Sequence, residues 1–371
     1  MLLYIAIIVL VTIFISEVIF YSTNCVTNIN YFKFILPILV FSMGVIAFHF
    51  EPKSPSPDLY RHLLWTRRFI NRDPVQLLQF YKDFQHGFIV WDLLILIADK
   101  FGNEHFLPAI VVSLNYTFYI LSCELCLRNL EVSRNSLSLF FITKFGLVNI
   151  YHLFSGLRNS LSFSILTYLL LYIIFSKKIS KIKVYILFFV SLFIHMAAII
   201  AVFFIFFLKY YKSLSWLKNL LLFWSIFSFI IVKLLSFINI PWFSYLMQRI
   251  EMYYFSWEAI DLRIFLVHIF YIIFVYIKLR IYKSRFNCSD DKYYHLFSLI
   301  ICFTIGSFCF PTLITRMLYL IGFLSLPMIV KEFNCFSKEE NICNVFIQSF
   351  IVLSMGAFNI NAMFSHIGLS L

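Results

Sequence analysis

An all-α fold is predicted, a polytopic transmembrane helical bundle of about ten full spans accompanied by two re-entrant or interfacial segments. Three observations predict it. The 371 residues are 62% hydrophobic and 13% charged, whereas soluble domains carry about 45–50% apolar and about 25% charged residues. Apolar runs at 1–20, 32–48, 160–175 and 184–208 reach or approach the ~20 residues that cross a ~30 Å hydrocarbon core as a helix. Lys and Arg gather in short clusters between these runs, the pattern of cytoplasmic loops. With no water in hydrocarbon to satisfy backbone amides, such runs must be helical.

Taken in order, full spans are expected near 2–20, 32–50, 105–127, 136–155, 159–176, 217–238, 263–282, 293–310, 312–330 and 343–363. The first lacks a basic n-region and a small-residue cleavage site, so it reads as a retained span and not a removed signal peptide. No internal repeat and no soluble domain is visible, and residues 1–371 read as one integral membrane domain. Two segments fit less simply. Residues 88–100 are short and carry Asp92 and Asp99, and residues 184–208 are interrupted by His195.

Charge bias arbitrates the topology. Lys177, Lys178, Lys181 and Lys183 mark one cytoplasmic loop, Lys278, Arg280, Lys283 and Arg285 a second, and Lys209, Lys212 and Lys218 a third. A single crossing by 184–208 would put its two Lys-rich ends on opposite faces. A re-entrant hairpin with His195 near its tip removes the conflict, and a broken helix at that depth requires a polar cavity. The loop 239–262, Pro311 and the 156–158 turn then fall outside. Reading 88–100 as a second re-entrant or interfacial piece places 51–87 outside as an amphipathic loop, against the bias, since it carries six Lys or Arg residues.

The net charge of +12 is explained by those loops, and nucleic-acid binding is excluded as a reading. The eight Cys are scattered through apolar runs, with no disulfide framework. Cys123 and Cys126 form a C-x-x-C on an apolar helix, where they read as small buried residues and not as a metal or redox pair. Metal-ligand, P-loop, dinucleotide and nucleophile-elbow motifs are missing, so no metal and no cofactor is expected.

Five polar constellations remain as candidates for chemistry. Ser54-Pro55-Ser56-Pro57-Asp58-Leu59-Tyr60-Arg61 opens an amphipathic stretch in which Asp58 and Arg61 lie one helical turn apart; an N-cap Asp with a solvated Arg is the plain alternative. Tyr151-His152-Leu153-Phe154-Ser155-Gly156-Leu157-Arg158-Asn159-Ser160 sits between two apolar runs. There Arg158 opposes the dipole of the helix it opens, and therefore calls for an anionic partner or ligand, unless it snorkels to lipid phosphates. His195 is a lone membrane histidine, structural or functional. Arg316 is the only charge between Lys292 and Lys331, and an intramembrane Arg must be paired or face a cavity. The stretch 241–262, with Arg249, Glu251, Tyr253, Tyr254, Trp257, Glu258 and Asp261, suits an interfacial helix and equally a sugar-stacking face.

The succession Pro57-Asp58-Leu59-Tyr60-Arg61, then Phe154-Ser155-Gly156-Leu157-Arg158-Asn159-Ser160-Leu161, then a Lys-rich loop, then Phe193-Ile194-His195, then Arg316 with Tyr319 resembles the EpsG family. That family contains Wzy-type O-antigen and exopolysaccharide polymerases. The resemblance runs from about residue 50 to about residue 330, and its most specific part is the G-L-R-N block followed 37 residues after its Arg by an isolated membrane His. The usual pattern has Gln where this chain has Asn159, a shorter amide.

The resemblance implies a bacterial inner-membrane glycosyltransferase with its site toward the periplasmic face. Donor and acceptor would be undecaprenyl-pyrophosphate-linked oligosaccharides, with the lipid bilayer, a flippase and a chain-length regulator as partners. On the chemistry of the residues, Arg158 and Arg316 would neutralise the leaving pyrophosphate. His195 or Asp58 would take the acceptor proton. Tyr60, Arg61, His152, Asn159, Arg249 and Tyr319 are expected to bind substrate. An O-antigen ligase, a lipid-linked sugar flippase or other transporter, and a membrane acyltransferase are the competing readings.

Overall fold

The computed structural model describes residues 4–5, 8, 11–12, 29–53, 58–69, 88–130, 153, 156–214, 216–224, 226–227, 230, 262–286, 291–308, 310–325, 327–328, 331 and 367–369. These residues are mostly helical and form two compact units, Met1–Ala201 with Val330–Leu371, and Val202–Ile329. The expected spans at 136–155 and 343–363, most of 2–20 and the loop 239–262 lie outside the described residues, apart from Leu153 and Leu262.

In the first unit, α1 (Ile29–Phe48) packs on α4 (Phe106–Leu130), α4 on α5 (Leu157–Phe175), and α5 on α6 (Lys181–Ile194). Two of these stretches, Phe106–Cys126 and Leu157–Phe175, are long and apolar enough to cross a membrane. The 19 residues of α5 rise about 28 Å. This helix is buried all round from Ser160 to Leu171, and the hydroxyls of Ser160, Ser164 and Thr167, which share one face, are satisfied by donating to carbonyls of their own helix. A short antiparallel ladder joins β1 (Phe50–Pro52) to β2 (Ile367–Leu369), with Phe50 opposite Leu369.

Small residues set the helix spacing, the usual means of close approach where hydrocarbon gives no hydrophobic drive between helices. A Cβ on Gly44 of α1 would collide with Ser113 Oγ of α4, and that hydroxyl donates to the Val40 carbonyl at 3.4 Å. Between α5 and α6 the contact is reciprocal. Ser162 Oγ donates to the Ser191 carbonyl at 3.0 Å and Ser191 Oγ donates to the Ser162 carbonyl at 2.9 Å. The turn that joins the two helices is closed by Tyr172, whose hydroxyl accepts from the Ser180 amide and donates to the Lys178 carbonyl. Lys183 then folds back onto Tyr168, with Nζ donating to the phenol oxygen at 2.7 Å.

Two shorter helices flank this set. The helix α2 (Asp58–Phe69) is amphipathic, burying Leu59, His62, Leu63 and Thr66, and α3 (Ile89–Asp99) packs against α2, α4 and α6. At 11 residues, or about 16 Å, α3 falls short of the ~20 residues that cross a bilayer as a helix. Arg67 of α2 is tied to Glu104, just before α4, at 2.9 Å.

The helix that begins at Lys181 ends at Ile194. His195 is extended, at φ −153° and ψ 125°, and a 3₁₀ turn (Met196–Ile199) leads into α7 (Ile200–Tyr210). The interruption expected at His195 is therefore present.

The second unit holds α8 (Leu217–Leu221), α9 (Leu262–Phe286), α10 (Lys292–Gly306) and α11 (Pro311–Leu324). Trp224 is stacked between Phe303 and Phe310, 5.1 and 5.2 Å from their ring centres, and its indole N–H donates to the Phe303 carbonyl. Gly306 lets α10 pass against the Leu221 carbonyl, a place a Cβ would occupy. Asp291 caps α10 by accepting from the Tyr293 amide and accepts the Tyr282 hydroxyl from α9, so the two helices share one carboxylate.

Ser162→Val removes one hydroxyl donor from the α5–α6 contact and adds bulk where two carbonyls approach. A loss of about 1–3 kcal/mol is expected, read as a lower thermal unfolding midpoint of the detergent-purified protein. Ser162→Ala, which removes the donor without the bulk, should fall between the two.

Candidate functional site

The α5–α6 serine pair fixes the register of what lies beyond it. Arg158 stands one turn before Ser162 on α5, and His195 stands one turn after Ser191 on α6. The helices run antiparallel, so both residues come to the same end of the hairpin. The N-terminal end of α3 enters between them. The Arg158 guanidinium carbon lies 5.2 Å from the Phe88 ring centre, and the same ring stacks on the His195 imidazole at 6.4 Å with 20° between the planes.

Two more groups complete the cluster. His62 of α2 meets Trp91 edge-on, with ring centres 5.0 Å apart. It is buried, and it lies within electrostatic reach of Arg158, Arg61 and His195. Asp92, in the first turn of α3, is 9% exposed and in the field of Arg158. A buried carboxylate is costly unless fully compensated, and here burial outweighs the nearby Arg158 charge and raises the Asp92 carboxyl to about 6. A guanidinium, a carboxylate and two imidazoles thus share one partly buried site lined by Phe88 and Trp91.

The tautomer of His195 follows from its position at the break. Its Nδ1 accepts a hydrogen bond from the Ala197 amide at 3.0 Å, acting as the cap of the 3₁₀ turn. With that lone pair engaged, the neutral ring carries its proton on Nε2. On this ring, then, Nε2 is a donor.

At the start of α5, Gly156 supplies the cap position without a side-chain cap, so the cap residue itself satisfies none of the first-turn amides. Asn159 is half-buried and its Oδ1 is enclosed with no hydrogen-bond partner among the described residues. Arg158 and the helix N-terminus together form an anion-attracting end, since first-turn amides and the dipole favour negative charge there, whereas the orphaned Asn159 Oδ1 is an acceptor and calls for a donor.

Of the residues singled out from sequence, Arg158, Asn159 and His195 belong to this cluster. Asp58 and Arg61 form an ion pair one turn apart on α2, with side chains 39% and 66% exposed, where such a pair is worth at most about 1 kcal/mol. Tyr60 is exposed. Arg316 is half-buried and Tyr319 is buried, one turn apart on α11 in the second unit. His152 and Arg249 lie outside the described residues. Sequence reasoning missed Phe88, Trp91 and His62 and gave Asp92 no role. The available signals were a carboxylate in a short apolar run and a His on the same helical face as Leu59, Leu63 and Thr66. No group of three or more metal-ligating side chains occurs among the described residues.

The family model described as EpsG family matches residues 72–369. The match begins after the Asp58–Arg61 block and covers the 88–92, 156–160 and 195 segments. It also reaches further toward the C-terminus than the resemblance read from the motifs. No curated protein and no solved structure matches the chain.

Burial, then the positive charges of Arg158 and Arg61, push His62 down from the ordinary 6.5 to about 3. Docked His62 is therefore neutral, while undocked His62 titrates near 6.5. Docking of α2 is at full strength above that value and weakens as pH falls below it, by up to about 1.4 kcal/mol per pH unit. Trp91 emission, taken as the difference between the protein and its Trp91→Phe variant, should change on acidification below about pH 6, and His62→Gln should remove that dependence.

Proposed function

The chain belongs to the EpsG family, and on that premise we propose that it is a Wzy-type polymerase of the bacterial cytoplasmic membrane. In this reading it transfers a glycan from undecaprenyl pyrophosphate to the sugar of another lipid-linked repeat unit. The family and the apolar helices make it a membrane protein of polysaccharide biosynthesis. The single observation that carries the finer reading is the Arg158 cluster, an anion-attracting helix end placed beside a carboxylate and two imidazoles.

In the proposed step the anomeric C–O bond to pyrophosphate breaks as the acceptor hydroxyl attacks from the opposite face. One displacement inverts the anomeric centre and needs no metal if cationic side chains hold the leaving group. Arg158, with Asn159 and the first-turn amides of α5, would bind the pyrophosphate as it gains charge. Asp92 would accept the hydroxyl proton, and the new glycosidic bond replaces the one broken. The tautomer of His195 favours a donor role for Nε2–H, toward a sugar or phosphate oxygen, over the base role open to it from sequence. Arg316 remains a second candidate for the pyrophosphate, and Tyr60, Arg61, His152, Arg249 and Tyr319 remain candidates for the glycan.

The topology we attach to this reading is ten crossings with two segments, 88–100 and 184–208, that do not cross, and with 51–87 and 239–262 outside. The Lys-rich turn between α5 and α6 is cytoplasmic in it. The opposite end of that hairpin, carrying Arg158 and His195, then faces the periplasm, where a flippase would deliver substrate and a chain-length regulator would act.

Glycan profiles of cells expressing single variants at equal levels test the reading. Arg158→Ala should abolish chains longer than one repeat, a loss of about 10²–10³ in transfer rate. Asp92→Asn should do the same, in the range of about 10²–10⁴ for a lost base. His195→Asn, which keeps an acceptor for the Ala197 amide, should shorten chains without abolishing them. A normal ladder from Arg158→Ala overturns the site. Transfer of finished chains to lipid A core with no lengthening of lipid-linked units identifies a ligase instead.

A further inference from the structure

The second unit carries a concentration of positive charge that transfer chemistry at Arg158 does not use. Lys218 of α8 and Lys283 of α9 both point at Tyr294 of α10, with Nζ atoms 5.2 and 5.6 Å from its ring centre. They are close enough to act on each other as like charges. Arg280, one turn before Lys283, is held by the Tyr276 hydroxyl through Nε at 2.9 Å, and its charge reaches Tyr294 as well. Lys218 Nζ donates to His295 Nδ1 at 3.0 Å. Among the described residues no carboxylate forms an ion pair with any of these three cations; the ion pairs found are Arg61–Asp58 and Arg67–Glu104.

Among the described residues, three cations gathered on phenol and imidazole groups have no carboxylate ion pair, and an anion would relieve their mutual repulsion. The surroundings say which kind. Phe270, Ile273 and Ile277 are each half exposed and follow at helical spacing to Arg280 on one face of α9. On the chain following Lys218, Leu220, Phe223 and Phe227 are likewise exposed. From Phe270 to Arg280 the helix rises about 15 Å, the thickness of one leaflet of a ~30 Å hydrocarbon core. A soluble anion has no use for such a stripe, whereas an acyl chain does.

Charge bias adds the face. It assigns the Lys209–Lys218 loop and the Lys278–Arg285 loop to the cytoplasm separately, and in the folded unit Lys218 and Lys283 meet over one ring. We propose that Lys218, Arg280 and Lys283 form a headgroup site for an anionic phospholipid of the cytoplasmic leaflet, its phosphate among the three cations and an acyl chain along Phe270, Ile273 and Ile277. This site is separate in chemistry from the Arg158 cluster and does not depend on the polymerase reading. An annular lipid bound there would hold α8, α9 and α10 together from outside.

The test uses the full chain in a neutral detergent, with thermal unfolding followed as phosphatidylglycerol, phosphatidylcholine or inorganic phosphate is added. Phosphatidylglycerol should raise the midpoint saturably, at concentrations where phosphatidylcholine and inorganic phosphate do not. Arg280→Gln and Lys283→Gln, both at exposed positions, should keep the lipid-free midpoint and weaken the phosphatidylglycerol effect, by roughly five-fold in half-saturating concentration for each cation removed. The pair Lys177→Gln and Lys178→Gln, exposed on the other cytoplasmic loop, should leave it unchanged. Equal protection by phosphatidylcholine overturns the headgroup assignment, and equal protection by inorganic phosphate overturns the lipid. So does an unchanged phosphatidylglycerol response in both single variants.

Discussion

Two serine hydroxyls, each donating to the other's backbone carbonyl, hold α5 and α6 at a distance only small side chains allow. In a medium as apolar as the side chains themselves, helices gain little from hydrophobic contact, so close van der Waals packing and interhelical hydrogen bonds decide register. The consequence reaches beyond the contact. Ser162 and Ser191 are each one helical turn from a functional candidate, and the antiparallel register that pairs them brings Arg158 level with His195. A shift of one turn along either helix would separate the guanidinium from the imidazole by about 5 Å.

Phe88 turns that register into a site. Its ring takes the Arg158 guanidinium and the His195 imidazole as neighbours, and it begins the helix that carries Trp91 and Asp92. The short length of α3 matters here. A helix that crossed the membrane would place its first turn at an interface, whereas an 11-residue helix can end within the bundle and offer its start to the α5–α6 hairpin. The charges then arrange themselves by proximity. Burial outweighs Arg158 at Asp92 and raises its carboxyl, His62 is kept neutral by burial and by the neighbouring Arg158 and Arg61, and His195 spends one nitrogen on the chain break it caps.

Charge placement organises the second unit in a different way. Lys218, Arg280 and Lys283 collect around Tyr294 with no carboxylate ion pair among the described residues, while apolar residues stay exposed along α9 below them. The same asymmetry that reads as positive-inside bias in the sequence becomes, once helices pack, a local excess of positive charge with a shape. In the first unit basic residues serve otherwise. Lys183 is folded onto two tyrosines at the α5–α6 turn, and Arg67 ties α2 to the start of α4.

Apolar run length and helix-ending residues are local properties, so the sequence alone marked the helical class, the limits of α1, α4, α5, α9 and α10 to within a few residues, the start of α11 and the break at His195, whereas α11 ends at Leu324, six residues before the expected 330. It also marked Arg158 and His195, since an isolated charge or imidazole in an apolar run is conspicuous without any partner in view. Only tertiary structure decided what joins them. Phe88 and Trp91 are unremarkable in an apolar, aromatic-rich chain, His62 hides in an amphipathic helix, and Asp92 reads as an awkward charge in a short run. Their meeting depends on the α5–α6 register, set by two serines 29 residues apart, a pairing that no local pattern contains. The tautomer of His195 has the same origin, since which ring nitrogen carries the proton depends on a backbone amide that comes into range only when the helix breaks.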